Sequence, residues 1–107
     1  MLSSTNPATN ESINEYPEMT PAELSEVTQL SFNAFNDWAI TSYSFRAEKM
    51  KSAANILRSS KEKLSRLMTL EMGKPINQSR AEIEKCAMVC NFYAENAEQF
   101  LTDKKKK

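Results

Sequence analysis

Histidine is absent from this 107-residue sequence, and glycine occurs once, at Gly73. Without an imidazole, the commonest general acid–base group is excluded. With a single glycine, no glycine-rich loop can be built to cradle phosphates. No apolar run approaches the roughly 20 residues needed to cross a bilayer, which excludes a membrane-spanning helix. The opening residues Met1-Leu2-Ser3-Ser4-Thr5-Asn6 lack the basic and apolar regions of a signal peptide, which favours a cytoplasmic protein. Only two cysteines are present, Cys86 and Cys90, four residues apart in a helical pattern. They read as reduced, buried core thiols rather than a disulfide framework. Glu82 lies one turn before Cys86, but the three residues match no metal motif, so no metal site is expected. A nucleophilic cysteine wants an electropositive and partly exposed setting, often a helix N-terminus. Both thiols fall in mid-helix, and no catalytic residue is assigned.

Positive charge is missing from the first third of the chain. Residues 1–38 hold six acids and no base, whereas residues 46–66 hold seven bases and only Glu48 and Glu62 as acids. The net charge of zero depends on Lys104, Lys105, Lys106 and Lys107, without which 10 bases face 14 acids. The basic stretch has two readings, a nucleic-acid surface or the wet face of helices packed near acidic neighbours, and the second is preferred.

At this length one domain at most is expected, with a small core. Residues 1–4 read as a loose terminus. Asn6-Pro7-Ala8-Thr9-Asn10-Glu11 is a cluster of turn formers, and Asn10 can take a left-handed turn position. Ser12-Ile13-Asn14-Glu15-Tyr16 alternates polar and apolar as a short strand does, so a small hairpin is predicted. Thr20-Pro21-Ala22-Glu23 is a capping box with proline at the first helical position, which starts a first helix over about 21–38. Leu24, Val27, Ser31, Ala34, Phe35 and Trp38 follow at helical spacing. A second helix starts near Ser42 and aligns Ala47, Met50, Ala54 and Leu57. Ser59 with Glu62 reads as the box of a third helix, with Leu64, Leu67 and Met68 inward. A fourth helix spans about 75–101, with Ile83, Cys86, Ala87, Cys90, Ala94, Ala97 and Leu101 in one stripe, widened by Phe92, Tyr93 and Phe100. Residues 103–107 form a disordered lysine tail.

Between the third and fourth helices lies Leu70-Glu71-Met72-Gly73-Lys74-Pro75. Glycine reaches a left-handed C-cap without a Cβ clash, a lysine there suits the preceding helix dipole, and proline suits the first turn of the next helix. Gly73, Lys74 and Pro75 thus read as a structural hinge, which on physical grounds alone is a plain helix–helix corner.

Taken together, these pieces resemble the N-terminal part of the aldehyde dehydrogenase superfamily, nearest its NAD(P)-dependent succinate-semialdehyde branch. The resemblance is carried by the Asn6–Glu11 turn, Tyr16-Pro17, Trp38, Arg46-Ala47 and the run Leu67-Met68-Thr69-Leu70-Glu71-Met72-Gly73-Lys74-Pro75. Ala81-Glu82-Ile83-Glu84-Lys85-Cys86-Ala87 and Phe92-Tyr93-Ala94-Glu95-Asn96-Ala97-Glu98 complete it, so that it covers residues 5–102. Asn10 stands where the family usually has glycine, and Phe45 where an acid commonly completes the cap of the second helix, which implies a slightly frayed start.

The resemblance implies a mostly α structure with a short N-terminal β-hairpin, the helical portion of the α/β aldehyde dehydrogenase fold. Residues 1–102 would be a partial N-terminal segment on the nucleotide-binding side. Full-length relatives use NAD or NADP. The family's cofactor loop, glutamate base, nucleophilic cysteine and oxyanion-holding asparagine have no matching positions here, so no catalytic, cofactor-binding or metal residue is assigned. Ala81 and Lys85 are carried over as borders of the substrate tunnel in a full-length relative. The implied partner is the rest of the dehydrogenase or a homologous subunit. The chain is expected to be inactive alone and, with its helices lacking a sheet to pack on, loose or aggregating.

Three readings remain open at this point. One is a portion of an aldehyde dehydrogenase, from a broken gene, a split gene or an incomplete read. A second is a small helical interaction module, and the third is nucleic-acid binding through residues 46–66 and the tail. Retention on DNA that vanishes at moderate salt would mark the third as mere charge attraction.

Overall fold

A computed structural model describes residues 1–105. In chain order the elements are β1 (Leu2–Thr5), β2 (Ser12–Tyr16), α1 (Pro21–Ala39), α2 (Tyr43–Ser59), α3 (Lys61–Met72) and α4 (Ile76–Leu101). The backbone gathers into two compact units. One contains Met1–Thr41 with Leu70–Gly73, and the other contains Ser42–Thr69 with the described residues from Lys74 onward.

In the first unit β1 and β2 pair antiparallel, Leu2 opposite Tyr16 and Ser4 opposite Asn14. The register then shifts, so that Thr5 faces Ser12 and Ile13 is the extra residue of a bulge. The turn closes through its own polar groups. The Asn6 amide donates to Glu11 O at 2.9 Å, the Asn10 amide to Asn6 O at 2.7 Å, and the Ala8 amide to Asn6 Oδ1 at 2.9 Å. Asn10 holds φ +64°, as expected of a residue that tolerates the left-handed region. The expected loose terminus is corrected: residues 2–5 are the partner strand of the hairpin. The strand is held from outside as well, because Ser4 Oγ donates to Glu71 Oε1 at 2.9 Å in the last turn of α3.

The α1 helix starts with both halves of its capping box, Glu23 N to Thr20 Oγ1 at 3.2 Å and Thr20 N to Glu23 Oε2 at 2.8 Å. Its apolar residues are regularly spaced, yet none of the nineteen is buried. Leu24 is 57% exposed and Phe35 63%. The helix thus has an apolar face without contributing to a core.

The second unit packs α2 along α4. Its core is made of small side chains: Ala54 of α2, Ser65 of α3, and Ser79, Ile83 and Ala87 of α4 are buried. Small residues let helix backbones approach closely and leave little apolar area between them. Ser42 caps α2 by accepting from the Phe45 amide at 3.0 Å. The reciprocal bond of a capping box is absent, since no acid lies in the first turn of α2.

Three expectations in this unit are corrected. Ser59 does not cap α3: its hydroxyl donates backward to Ile56 O at 3.1 Å, and Ser60 O takes the first helical bond from Leu64 N at 3.0 Å. Leu67 is 44% exposed, and the inward position is taken by Ser65. Cys86 is exposed rather than buried, while Cys90 is half-buried. The buried line of α4 runs through Ser79, Ile83 and Ala87, with Cys86 at its rim and Leu101 exposed at its end. Asp103–Lys105 follow α4 without helix or strand, and Lys106 and Lys107 of the expected tail lie outside the described residues.

Candidate functional site

The turn from α3 to α4 holds the second described residue with positive φ. Gly73 has φ +72°, and a Cβ there would meet Pro7 Cγ at 3.1 Å. The Pro7 ring from the hairpin turn therefore closes over Gly73. Pro75 is the N-cap of α4 with φ −55° and ψ 138°, one position earlier than the helical turn expected of it, and the Ser79 amide donates to its carbonyl at 3.0 Å. Lys74 does not serve the end of α3. Its Nζ donates to Glu82 Oε2 at 3.1 Å, in the second turn of α4.

This turn does not fit a dinucleotide's phosphates. A phosphate cradle needs open backbone N–H groups over glycines, whereas here the single glycine is covered by a proline ring and the following cap is a proline without an N–H. Among the described residues no three of the histidine, cysteine, aspartate and glutamate side chains are placed to share a metal ion. Cys86 and Cys90 are free thiols. Both sit on the body of α4, a helix that begins ten residues before Cys86.

Polar contacts join the helices of the second unit. Arg80 makes a two-pronged pair with Glu62, Nε to Oε1 at 2.9 Å and Nη2 to Oε2 at 3.1 Å. The Arg80 hydrogen bond holds the Glu62 carboxyl below its ordinary pKa, and the same bond raises that of Arg80. Glu84 receives Arg58 at 3.0 Å and Lys61 at 3.9 Å. Thr69 Oγ1 and Ser79 Oγ share a 2.8 Å hydrogen bond between α3 and α4. Of the basic stretch 46–66, Arg58 and Lys61 thus face Glu84, Lys51 pairs with Glu48 at 3.3 Å, and Lys49 lies 5.2 Å from the Phe45 ring centre. Acidic neighbours draw in part of this charge. Ala81 and Lys85 lie one turn apart on α4, both exposed, and they point away from the Ile83–Ala87 line.

The sequence reading missed Ser65 and Ser79, the two fully buried polar residues among those described. No periodicity argument selects a serine as core, although each occupies the phase that an apolar residue would take beside Ile83 and Ala87.

Comparison with known proteins fixes the family. The model of the aldehyde dehydrogenase family matches residues 1–107. The chain is 40% identical over 98 residues to the NAD(P)+ succinate semialdehyde dehydrogenase Sad of Escherichia coli strain K12, covering 92% of this chain and 21% of that protein. It is 35% identical over 102 residues to a probable NADP+ succinate-semialdehyde dehydrogenase of Synechocystis sp., covering 95% and 22%. Among solved structures it superposes on the succinic semialdehyde dehydrogenase of Streptococcus pyogenes, crystallised with NADP+, with a TM-score of 0.90 and 27% identity over 98% of this chain and 23% of that one. Betaine aldehyde dehydrogenase of Staphylococcus aureus gives a TM-score of 0.82 at 25% identity, over 92% and 20%. The chain spans about a fifth of the length of the relatives it matches. Its hairpin and four helices are an N-terminal piece of their fold, and the chain belongs to the aldehyde dehydrogenase family.

Proposed function

We propose that this chain forms the N-terminal portion of an NAD(P)-dependent dehydrogenase that oxidises succinate semialdehyde to succinate, and that it has no activity alone. The observation that carries this reading is the match along 92% of the chain to a succinate semialdehyde dehydrogenase at 40% identity. The chain's chemistry supports the second half. It has no imidazole, and its single glycine is covered by Pro7, so the covalent and hydride steps of such an enzyme fall to the rest of the fold. The partner is accordingly the remainder of the dehydrogenase or a homologous subunit, in the cytoplasm, with neither membrane nor nucleic acid involved. Ala81 and Lys85, exposed on one turn of α4, border the substrate tunnel in the assembled enzyme.

Two experiments test this. The purified 107-residue chain, mixed with succinate semialdehyde and NAD+ or NADP+, yields no reduced nicotinamide above the blank; turnover would overturn the claim of inactivity. A chimera in which the chain replaces the matched 98 residues of the E. coli enzyme oxidises succinate semialdehyde. A soluble chimera without that activity would sink the assignment.

The second reading is a small helical interaction module that binds a dehydrogenase subunit. It is favoured by the exposed apolar face of α1. Inhibition or activation of the intact E. coli enzyme by the added chain, with no activity in the chimera, would select it.

A further inference from the structure

Cys86 and Cys90 are the two cysteines of the chain, and both are free thiols. They stand four residues apart on a helix that runs unbroken from Ile76 to Leu101. At 100° per residue their directions differ by about 40°, so both lie on one face, one turn apart. Side chains on a helix lean toward its N-terminus, which brings Cys90 down over the turn that carries Cys86. On one flank Ile83 and Ala87 are buried. Cys86 is exposed and Cys90 half-buried, so the pair opens to solvent at the rim of the packed stripe.

The spacing selects among the partners that thiols take. Cβ atoms four residues apart on a helix are about 5–6 Å from each other. A disulfide needs about 3.5–4.5 Å between its Cβ atoms, so closing one here would distort α4. Among the described residues no third histidine, cysteine, aspartate or glutamate joins the pair, which leaves a four-coordinate metal ion short of protein ligands. A single thiophilic atom set between the sulfurs meets both limits. It lengthens the link by one atom and asks for only two thiols. We propose that Cys86 and Cys90 form a dithiol site for trivalent arsenicals, with the arsenic bridging the two sulfurs across one turn of α4.

The step is a condensation with no change of oxidation state. An arylarsenoxide exchanges its oxygen for two sulfurs. Two As–S bonds form, the arsenic–oxygen double bond is lost, and the two S–H protons leave with that oxygen as one water. Cys86, the more open thiol, reacts first. The second As–S bond is then intramolecular, because the helix holds Cys90 beside the arsenic at a high effective concentration. A dissolved monothiol lacks that advantage and does not displace the bridge. Glu82, one turn before Cys86, is paired with Lys74 at 3.1 Å, so its charge beside the thiols is compensated. The site needs only α4 and is independent of the proposed function.

The test mixes the reduced full chain with an equimolar amount of phenylarsine oxide and a large excess of glutathione, and reads intact mass, free thiols and circular dichroism. The expected result is one phenylarsenic group per chain, both thiols lost together and the helical signal unchanged. A small dithiol removes the group and glutathione does not. Cys86→Ser and Cys90→Ser each weaken retention by about a hundredfold or more. A double variant, Cys90→Ser with Met88→Cys, keeps two thiols but sets them on opposite sides of the helix, at a position that is already 61% exposed. It is expected to lose retention to the same degree. Retention by the double variant or by either serine variant equal to that of the parent would overturn the inference, since the helical spacing would then not matter. A parent chain that gives up the group to glutathione, or loses its helical signal on binding, would overturn it as well. Each of these results leaves the proposed function standing, because that is read from turnover in the chimera.

Discussion

Replacing Gly73 with alanine tests the chain at its tightest point. The left-handed conformation at φ +72° costs an L-residue about 1–2 kcal/mol relative to glycine. Alanine regains about 0.4–1 kcal/mol by restricting the unfolded chain. The added Cβ would stand 3.1 Å from Pro7 Cγ, so the hairpin turn must retreat by a few tenths of an ångström. The net loss is about 1 kcal/mol, or roughly a fivefold shift in a local opening equilibrium. Gly73, Pro7, Ser4 and Glu71 belong to one compact unit, so the loss falls on the hairpin. A single melting midpoint does not isolate it in a chain with two units. Amide hydrogen exchange over Leu2–Tyr16 does, with about fivefold faster exchange expected for Gly73→Ala. Gly73→Asn separates the two causes, since asparagine tolerates the backbone angle but carries the same Cβ. Pro7→Ala in the Gly73→Ala background relieves only the contact. Hairpin exchange in Gly73→Ala as slow as in the parent chain would refute the reasoning, because neither the angle nor the contact would then constrain position 73.

Two further outcomes follow from the second unit. Ser65 is fully buried, and its hydroxyl has no hydrogen-bond partner, so Ser65→Ala should stabilise the packing of α3 by about 1 kcal/mol, read as slower exchange of α3 amides; faster exchange would mean the hydroxyl is engaged after all. Glu62 is held below its ordinary pKa by the Arg80 hydrogen bond, so the pair supports folding above the unfolded carboxylate pKa and loses that support as pH falls through the lower, folded value. The stability difference between the parent chain and Glu62→Gln therefore shrinks on acidification, and a difference that grows toward acid would contradict it.

Much of this architecture was legible because caps and turns are local. Thr20, Pro21 and Glu23 set the start of α1 within four residues, and Asn10 and Gly73 are the two described residues that hold positive φ. Failures occurred where a distant residue decided the matter. Leu2–Thr5 has little strand pattern of its own and is a strand because Ser12–Tyr16 pairs with it and Glu71 accepts from Ser4. Ser59 and Ser60 offered two caps one residue apart, and Glu62 was taken by Arg80, eighteen residues on, rather than by a capping box. Cys86 shares the helical spacing of Ile83 and Ala87, yet it lies at the edge of the stripe, where the small core of this unit ends. The α3–α4 turn was legible through Gly73 and Pro75, whose backbone angles the structure gives as positive φ and a helix cap. The α1 face was visible as periodicity, but periodicity could not show that none of its residues is buried.

The hydrogen bond from Ser4 to Glu71 also orders events in time. Its partners are 67 residues apart. A ribosome adding about 5–20 residues per second takes on the order of several seconds to deliver the second after the first. During that interval β1 has no outer anchor, and α1, complete but uncovered, shows Leu24 and Phe35 to the cell. The nascent chain thus carries an exposed apolar surface from early in synthesis, before the anchor at Glu71 exists. Its yield in vivo should depend on the speed of translation through α2 and α3 and on chaperones that hold a short amphipathic helix.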